Sequence, residues 1–350
     1  RGQGDETQIN KAVHTSIFIS LLSGVLLAFI GFFVAPQLLT LMGTPHDVIA
    51  LSSLYLKIYF IGMPFLMLYN FGAAILRAVG DTKRPLYYLT IAGVVNVVLN
   101  LIFVVLFKMS VAGVAIATVI SQIISSLLVL LSLMHETGAL KLELRKLAID
   151  RKSLIDMARV GIPAGLQGCV FSLSNVVIQS SINSFGSIVV AGNSAAANIE
   201  GFIYVSMNSF HQSAVTFSSQ NFGAKKYDRC DKAVLISGCL AAGVGSLIGF
   251  IFIFFGEQLL GLYTTDPLVI EAGLLRMEYL FKFQCLNGLM DIMVGGLRGI
   301  GYSVLPTIVS LTGACAFRLV WVMTVFKISP TITTLYLVYP VSWGITAGTH

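Results

Sequence analysis

Two stretches, ILRAVGDTKRP at 75–85 and GLRGIGYSVLP at 296–306, decide how this chain is read. Each holds Leu-Arg, a Gly three residues after the Arg and a Pro five residues after that Gly, and they lie 221 positions apart. Sliding the whole sequence by 221 with no gap brings further identities. Gly2 falls on Gly223, Lys11-Ala12-Val13 on Lys232-Ala233-Val234, and Gln37-Leu38-Leu39 on Gln258-Leu259-Leu260. Thr44, Val48 and Ile49 fall on Thr265, Val269 and Ile270. Identities at one fixed offset, in polar loops as well as apolar runs, are the mark of an internal duplication. The motif also makes physical sense in each copy. An Arg at the end of a membrane span reaches the polar interface. A Gly just after it suits a helix C-terminus, and a Pro suits the first turn of the next helix. Leu-Arg-x-x-Gly-x4-Pro is therefore read as a cytoplasmic hairpin device, in which Arg77, Gly80, Arg298 and Gly301 serve packing and topology.

Of the 350 residues, 56% are hydrophobic and only 11% are charged. A water-soluble domain carries about a quarter charged residues, so the bilayer is the expected solvent. Ten stretches are long and apolar enough for a spanning helix: 15–35, 51–79, 86–107, 111–134, 161–185, 193–219, 233–255, 268–300, 307–326 and 331–350. They are too long and too uniformly apolar for the alternating, roughly 10-residue strands of a membrane barrel. Fourteen of the 22 Lys and Arg fall in one alternate set of loops, two (Lys108 and Lys327) in the other, and six in or at the edges of spans. That asymmetry places the first set in the cytoplasm. The net charge of +6 is thus a topology signal, and no nucleic-acid partner is needed to explain it. The five cysteines, Cys169, Cys230, Cys239, Cys285 and Cys315, are scattered, form no C-x-x-C and read as small apolar filler. With no H-E-x-x-H, no G-x-S-x-G, no metal-ligand cluster and no phosphate-binding Gly loop, neither an enzyme nor a bound cofactor is expected.

The offset also fixes an expected architecture. The first four spans map onto spans seven to ten, while residues 161–220 have no counterpart upstream. The expectation is an all-α polytopic membrane protein of two pseudo-symmetric six-helix bundles, with about ten of twelve spanning helices present. Because six is even, the two halves face the same way, which makes a parallel repeat. The expected organisation is an N-terminal lobe at 1–134 lacking its first two helices, a cytoplasmic linker at 135–160, and a C-terminal lobe at 161–350 with its last helix clipped. The linker carries the alternating charges of KLELRK, and Asp150 is placed to cap a short helix through DRKSLIDMAR.

QNFGAKKYDRCDKAV (220–234), the two Leu-Arg-x-x-Gly hairpins, GIPAGLQ (161–167) and GVAIATVISQ (113–122) resemble multidrug and toxic compound extrusion (MATE) transporters, over essentially the whole chain. The resemblance implies two six-helix lobes with a central cleft, alternating access, and export of organic, often cationic, drug-like compounds (xenobiotics) in exchange for Na+ or H+. It implies a monomer in the bacterial plasma (inner) membrane whose partners are a small-molecule substrate and the lipid bilayer. Flippases for lipid-linked saccharide precursors share the architecture and are the alternative. They call for a strongly cationic cleft, whereas the in-span cations of this chain are few and two sit at interface ends. The chain also departs from the family pattern. One branch carries a Glu midway in the helix matching span five and an Asp early in the helix matching span eight, where this chain offers Gln167 or Phe171, and Asn287. Another branch uses an Asp in its first helix, which this chain does not contain. Na+ and H+ therefore both stay open.

Ionisable groups inside spans are costly and usually face a wet cavity or the bundle interior. Span six carries Asn193, Glu200, Tyr204, Asn208 and His211, at spacings of 7, 4, 4 and 3 that share one helical face. Span five carries Ser172, Asn175, Gln179 and Asn183 on one face as well. The two stripes either line a hydrated cleft or glue helices together by hydrogen bonds. Glu200 has no Lys or Arg in its own helix, which suits a coupling role as a proton carrier or an oxygen ligand for Na+; a structural ion pair is the competing reading. Asp291 in span eight has Asn70 as its repeat counterpart, so both copies place a polar side chain there. Glu278 and Lys282, at i and i+4, are expected to neutralise each other. Lys57 and Arg318 are expected to meet partners across the cleft, and His211 to be structural or a proton relay. The candidate cleft set is Glu200, Asp291, Tyr204, Asn208, His211, Asn175, Gln179 and Gln167.

Overall fold

The computed structural model describes residues 5–41 and 46–350. Every regular element among the described residues is a helix. This is the solution open to a chain whose backbone must satisfy its own hydrogen bonds in lipid. The chain divides near residue 156 into two compact units.

The first unit is built from α1 (Glu6–Leu41), α2 (His46–Ile61), α3 (Met63–Ala78), α4 (Lys83–Leu101) and α5 (Ser110–His135). α1 packs on α2 and α3, and α5 packs on α2, α3 and α4. Val13 and Ile17 of α1, Leu68 and Leu76 of α3, and Val129 and Leu133 of α5 form its core. The segment after α5 is strapped to the start of α1. Asn10 donates to the carbonyls of Ala139 and Lys141, and Glu143 N–H donates to His14 Nε2 at 3.1 Å. Asp150 N–H donates to Thr15 Oγ1 at 3.0 Å, and Leu142 is buried in the first unit's core. The charges of KLELRK are solvated while its Leu142 is inserted, so the linker is pinned to the first unit at that residue although Leu144 and Ile149 stay exposed.

The second unit opens with α6 (Arg151–Asn183) and α7 (Ser187–Gly223), followed by α8 (Tyr227–Phe254), α9 (Gly256–Gly261), α10 (Pro267–Phe281) and α11 (Gln284–Gly299). It ends with α12 (Val304–Ser310), α13 (Phe317–Met323), α14 (Val325–Ile328) and α15 (Ile332–Thr349). Asp150 caps α6 as expected, taking the Ser153 N–H and hydroxyl on one carboxylate oxygen at 2.9 Å each. Those bonds, with Lys11 at 3.5 Å, hold its carboxyl below the usual carboxylate range. The capped helix is not short, however. It runs 33 residues through Pro163, although an interior Pro both lacks the N–H and crowds the carbonyl one turn back.

The duplication is visible in the helix boundaries. α1 starts at 6 and α8 at 227, α2 at 46 and α10 at 267, α3 at 63 and α11 at 284, α4 at 83 and α12 at 304. Each pair is separated by the sequence offset. Packing repeats too, since α1 lies on α3 in one unit and α8 on α11 in the other.

All ten expected spans are helical, but seven helices among the described residues are long and apolar enough alone to cross a membrane. An eighth is the pair Ile49–Ile61 and Met63–Ala78, bent by 46°. The two remaining stretches fall short for a physical reason. Residues 268–300 break at Lys282–Phe283 into α10 and α11 and carry Arg276, Gln284, Asn287, Asp291 and Arg298, while α15 carries Ser342 and Thr346. Much of this polarity belongs to the interior of the second unit.

Candidate functional site

The polar stripes are positioned by close helix contact. α7 approaches α10 at Gly192, where an added Cβ would lie 2.5 Å from the Val269 carbonyl oxygen. α7 approaches α11 at Gly295 and Gly299, where an added Cβ would lie 3.0 Å from His211 Nδ1 and 2.8 Å from the Val215 carbonyl oxygen. These small residues let backbones meet and turn the intervening polar side chains to one side. The result is a cavity of about 710 Å³ lined by α6, α7, α10, α11, α13 and α15.

All eight members of the expected cleft set line this one cavity: Gln167, Asn175 and Gln179 from α6, Glu200, Tyr204, Asn208 and His211 from α7, and Asp291 from α11. Arg298 lines it as well, rather than serving topology alone, and its Nη2 donates to Gln167 Oε1 at 2.7 Å. Of the other stripe residues, Asn193 reaches the cavity. Ser172 bonds back to the Gly168 carbonyl, and Asn183 accepts from Gln179 at 3.0 Å.

Glu200 sits in a network. Arg276 Nη2 lies 2.6 Å from Glu200 Oε2, and Gln284 Nε2 donates to Glu200 Oε1 at 2.9 Å. The other amino group of Arg276 donates to Asn193 Oδ1 at 2.6 Å, and Asn193 in turn donates to Gln179 Oε1 at 3.3 Å. Arg276 is 6% exposed and Gln284 1%, so this is a buried, hydrogen-bonded ion pair. The attraction within such a pair opposes its desolvation cost, and Arg276 Nε stays buried without a partner among the described residues. Asp291 differs. No cationic nitrogen of a described residue comes within the 4.0 Å of an ion pair. Its backbone carbonyl accepts from His211 Nδ1 at 2.7 Å, which fixes the proton on that ring nitrogen. Gly295 makes room for this contact.

Arg318 is 3% exposed. Its Nε donates to Ser342 Oγ at 3.0 Å and its Nη1 reaches Asn175 Oδ1 at 3.5 Å. Its guanidinium lies over the rings of Tyr339 and Phe171, 4.7 and 5.8 Å from their centroids. Lys57 finds its partner inside the first unit, over the Phe32 ring at 5.4 Å. Glu278 and Lys282 pair at 2.7 Å, as their spacing requires.

The expectation of few interior cations is not met. Three arginines, Arg276, Arg298 and Arg318, line the cavity against two carboxylates, Glu200 and Asp291. Sequence reasoning passed over Arg276, Gln284, Tyr339 and Trp343. A signal for the arginines was present: at the 221 offset Arg276 stands where the other copy has Tyr55, and Arg318 where it has Val97. A charge that appears in one copy of a duplicated span is a departure that packing alone does not require.

A family model described as MatE matches residues 1–102 and 163–324. A Bacillus subtilis (strain 168) protein described as "Probable multidrug resistance protein YoeA" is 30% identical over 318 residues, covering 89% of this chain and 68% of that protein. A protein described as "FAD transporter" from Shewanella oneidensis is 27% identical over 301 residues, covering 84% and 65%. "Multidrug export protein MepA" of Staphylococcus aureus (strain N315) is 23% identical over 312 residues, covering 88% and 68%. Among solved structures, a MATE in complex with MaL6 superimposes with a TM-score of 0.90 at 21% identity, covering 99% of this chain and 79% of that one. A multidrug resistance MATE family transporter of the MOP superfamily in its outward-facing conformation gives 0.86 at 21% identity, covering 99% and 81%. These likenesses establish the fold.

Proposed function

The chain belongs to the MatE family, whose members are transporters and not enzymes, and on that premise we propose that it exports small organic compounds across the bacterial plasma membrane in exchange for Na+ or H+. The observation that carries the reading is the single cavity on which the polar faces of α6, α7 and α11 converge. Its volume of about 710 Å³ lies within the range of roughly 300–1,000 Å³ typical of sites for drug-sized ligands. The multidrug names carried by relatives at 30% and 23% identity support the same class of cargo.

For the coupling ion, Asp291 is the better-placed carboxylate. It faces the cavity with His211 and Arg298 nearby but outside ion-pair distance, whereas Glu200 is engaged directly by Arg276 and Gln284. A cationic cargo, the expectation from the resemblance, would be served by Asp291, but three lining arginines against two acids do not favour it. The same arginines favour a second reading, a flippase for a lipid-linked pyrophosphate. Against that reading, Arg276 is already neutralised by Glu200 and Arg298 is turned to Gln167, which leaves no cluster fit for two phosphates.

Proteoliposomes of the full-length protein test the proposal. An imposed Na+ or H+ gradient is expected to drive a fluorescent dye against its own gradient, and Asp291→Asn to slow that movement about tenfold or more, in the range of a lost proton or ion carrier. Dye movement indifferent to both gradients would reject coupling. Full activity in Asp291→Asn with loss in Glu200→Gln would move the coupling role to Glu200.

A further inference from the structure

We infer that Arg318 is an oxyanion-binding residue, and that the cargo of this cavity is a planar aromatic compound bearing a carboxylate, sulfonate or phosphate. The inference deepens the transport reading and rests on the cavity being its substrate site. Arg276 and Arg318 are buried in the same cavity to a similar degree, at 6% and 3% exposure. A guanidinium stays charged in a protein, and burying that charge without a partner is costly. At Arg276 the fold supplies the partner in Glu200. At Arg318 no carboxylate of a described residue comes within the 4.0 Å of an ion pair. Its partners are the neutral Ser342 and Asn175, the second at 3.5 Å, and its Nη2 bonds to none of the described residues.

The geometry says what is still wanted. The guanidinium lies over the Tyr339 and Phe171 rings, and ring faces stabilise a cation only in part. Nη2 makes no bond to a described residue and Nη1 makes only the long one to Asn175, and these two nitrogens form the fork that matches a carboxylate or phosphate with two parallel bonds. The aromatic walls beside it, continued by Trp343, are flat surfaces on which a planar ring system stacks. A cation entering this end of the cavity would meet an uncompensated positive charge.

Two xanthene dyes with the same ring system and opposite charge test this: 5-carboxyfluorescein and rhodamine 6G, each followed by fluorescence anisotropy on the purified full-length protein. Carboxyfluorescein is expected to bind the more tightly. Arg318→Gln is expected to weaken it about tenfold or more, the weight of one lost charge-assisted pair, and to leave rhodamine 6G as it was or tighter. Arg318→Lys, which keeps the charge and loses the fork, is expected to fall between. If both dyes weaken together, with Arg318→Lys as poor as Arg318→Gln, Arg318 is structural and the inference fails. The wild type gives a reading that no misfolded variant can spoil: 1-naphthoate should displace carboxyfluorescein and 1-naphthamide should not. Equal displacement by the two would overturn the oxyanion site. Displacement by a polyprenyl pyrophosphate and not by naphthoate would assign the guanidinium to a lipid headgroup and overturn the soluble-anion assignment. Failure of the transport reading looks different. Carboxyfluorescein bound through Arg318 but not moved in vesicles would retire export and leave the oxyanion site standing, whereas rhodamine 6G moved with no binding of carboxyfluorescein would retire the oxyanion site and keep export.

Discussion

Arg276 and Glu200 meet at 2.6 Å, from positions 76 residues apart, with side chains only 8% and 18% exposed. A pair this buried is weak evidence of net stabilisation, but breaking it is expensive because one charge is left in a medium that solvates it poorly. Arg276→Met is expected to destabilise the purified protein by about 3 kcal/mol, and Glu200→Leu by a similar amount. The Arg276→Met/Glu200→Leu double variant should recover most of the loss. Denaturant unfolding in one detergent measures the cycle, and a coupling energy near zero would mean that the two groups do not depend on each other. The residue scale is also where the sequence was least legible. Glu200 could be singled out by its helical face, but its partner could not, because adjacency of α7 and α10 is set by Gly192 meeting the backbone of α10. His211 was legible as a stripe member. Its bond to a main-chain carbonyl was not, since carbonyls leave no trace in a sequence.

The hairpins are the element-scale counterpart, and here the sequence was almost fully legible. Gly80 and Gly301 have φ of 91° and 92°, the left-handed region where a side chain is strained. The N–H of Gly80 bonds to the Arg77 carbonyl at 2.9 Å and that of Asp81 to Leu76 at 3.0 Å. In the copy, Gly301 bonds to Arg298 at 3.0 Å and Tyr302 to Leu297 at 3.0 Å. The same carbonyls are closed in the same way at both ends, which is why a Gly three residues after the Arg could be read as a helix stop. Gly80→Ala and Gly301→Ala are each expected to cost about 1–2 kcal/mol. The two costs should agree, since neither added methyl would meet an atom within 4 Å and strain is the whole effect. Unfolding midpoints of the two variants check this, and a loss confined to one copy would deny that the turns are equivalent. The breaks inside spans were less legible. Lys282–Phe283 interrupts what reads as one apolar run, and Pro163 fails to interrupt α6, because tertiary context overrides local preference.

For the whole molecule, the strongest consequence of the duplication is a statement about sides. Helix starts that recur at one offset show that a unit was copied, but not whether the copy was inserted the same way up. That information lies in the loops. Lys83 and Arg84 follow α3, and Lys225, Lys226 and Arg229 follow α7, whereas the opposite ends hold only Lys108, after α4, and Lys327, in α14. The positive-inside rule puts the first group in the cytoplasm and the second outside. A parallel repeat further requires Val304, which stands at the Lys83 position of the other copy, to share the side of Lys83 although its own hairpin carries no Lys or Arg between Gly301 and Pro306. In a background with the five native cysteines replaced, single cysteines at Lys108 and Lys327 are expected to react with a membrane-impermeant maleimide in intact cells. Cysteines at Lys83, Lys225 and Val304 should react only after permeabilisation. All of these side chains but Val304 belong to exposed loop or helix-end lysines, and Val304 is itself 54% exposed, so access within the protein does not limit the reaction. Labelling of Val304→Cys in intact cells while Lys83→Cys stays protected would make the repeat inverted, and an exporter built from two like-facing bundles would no longer follow from this sequence.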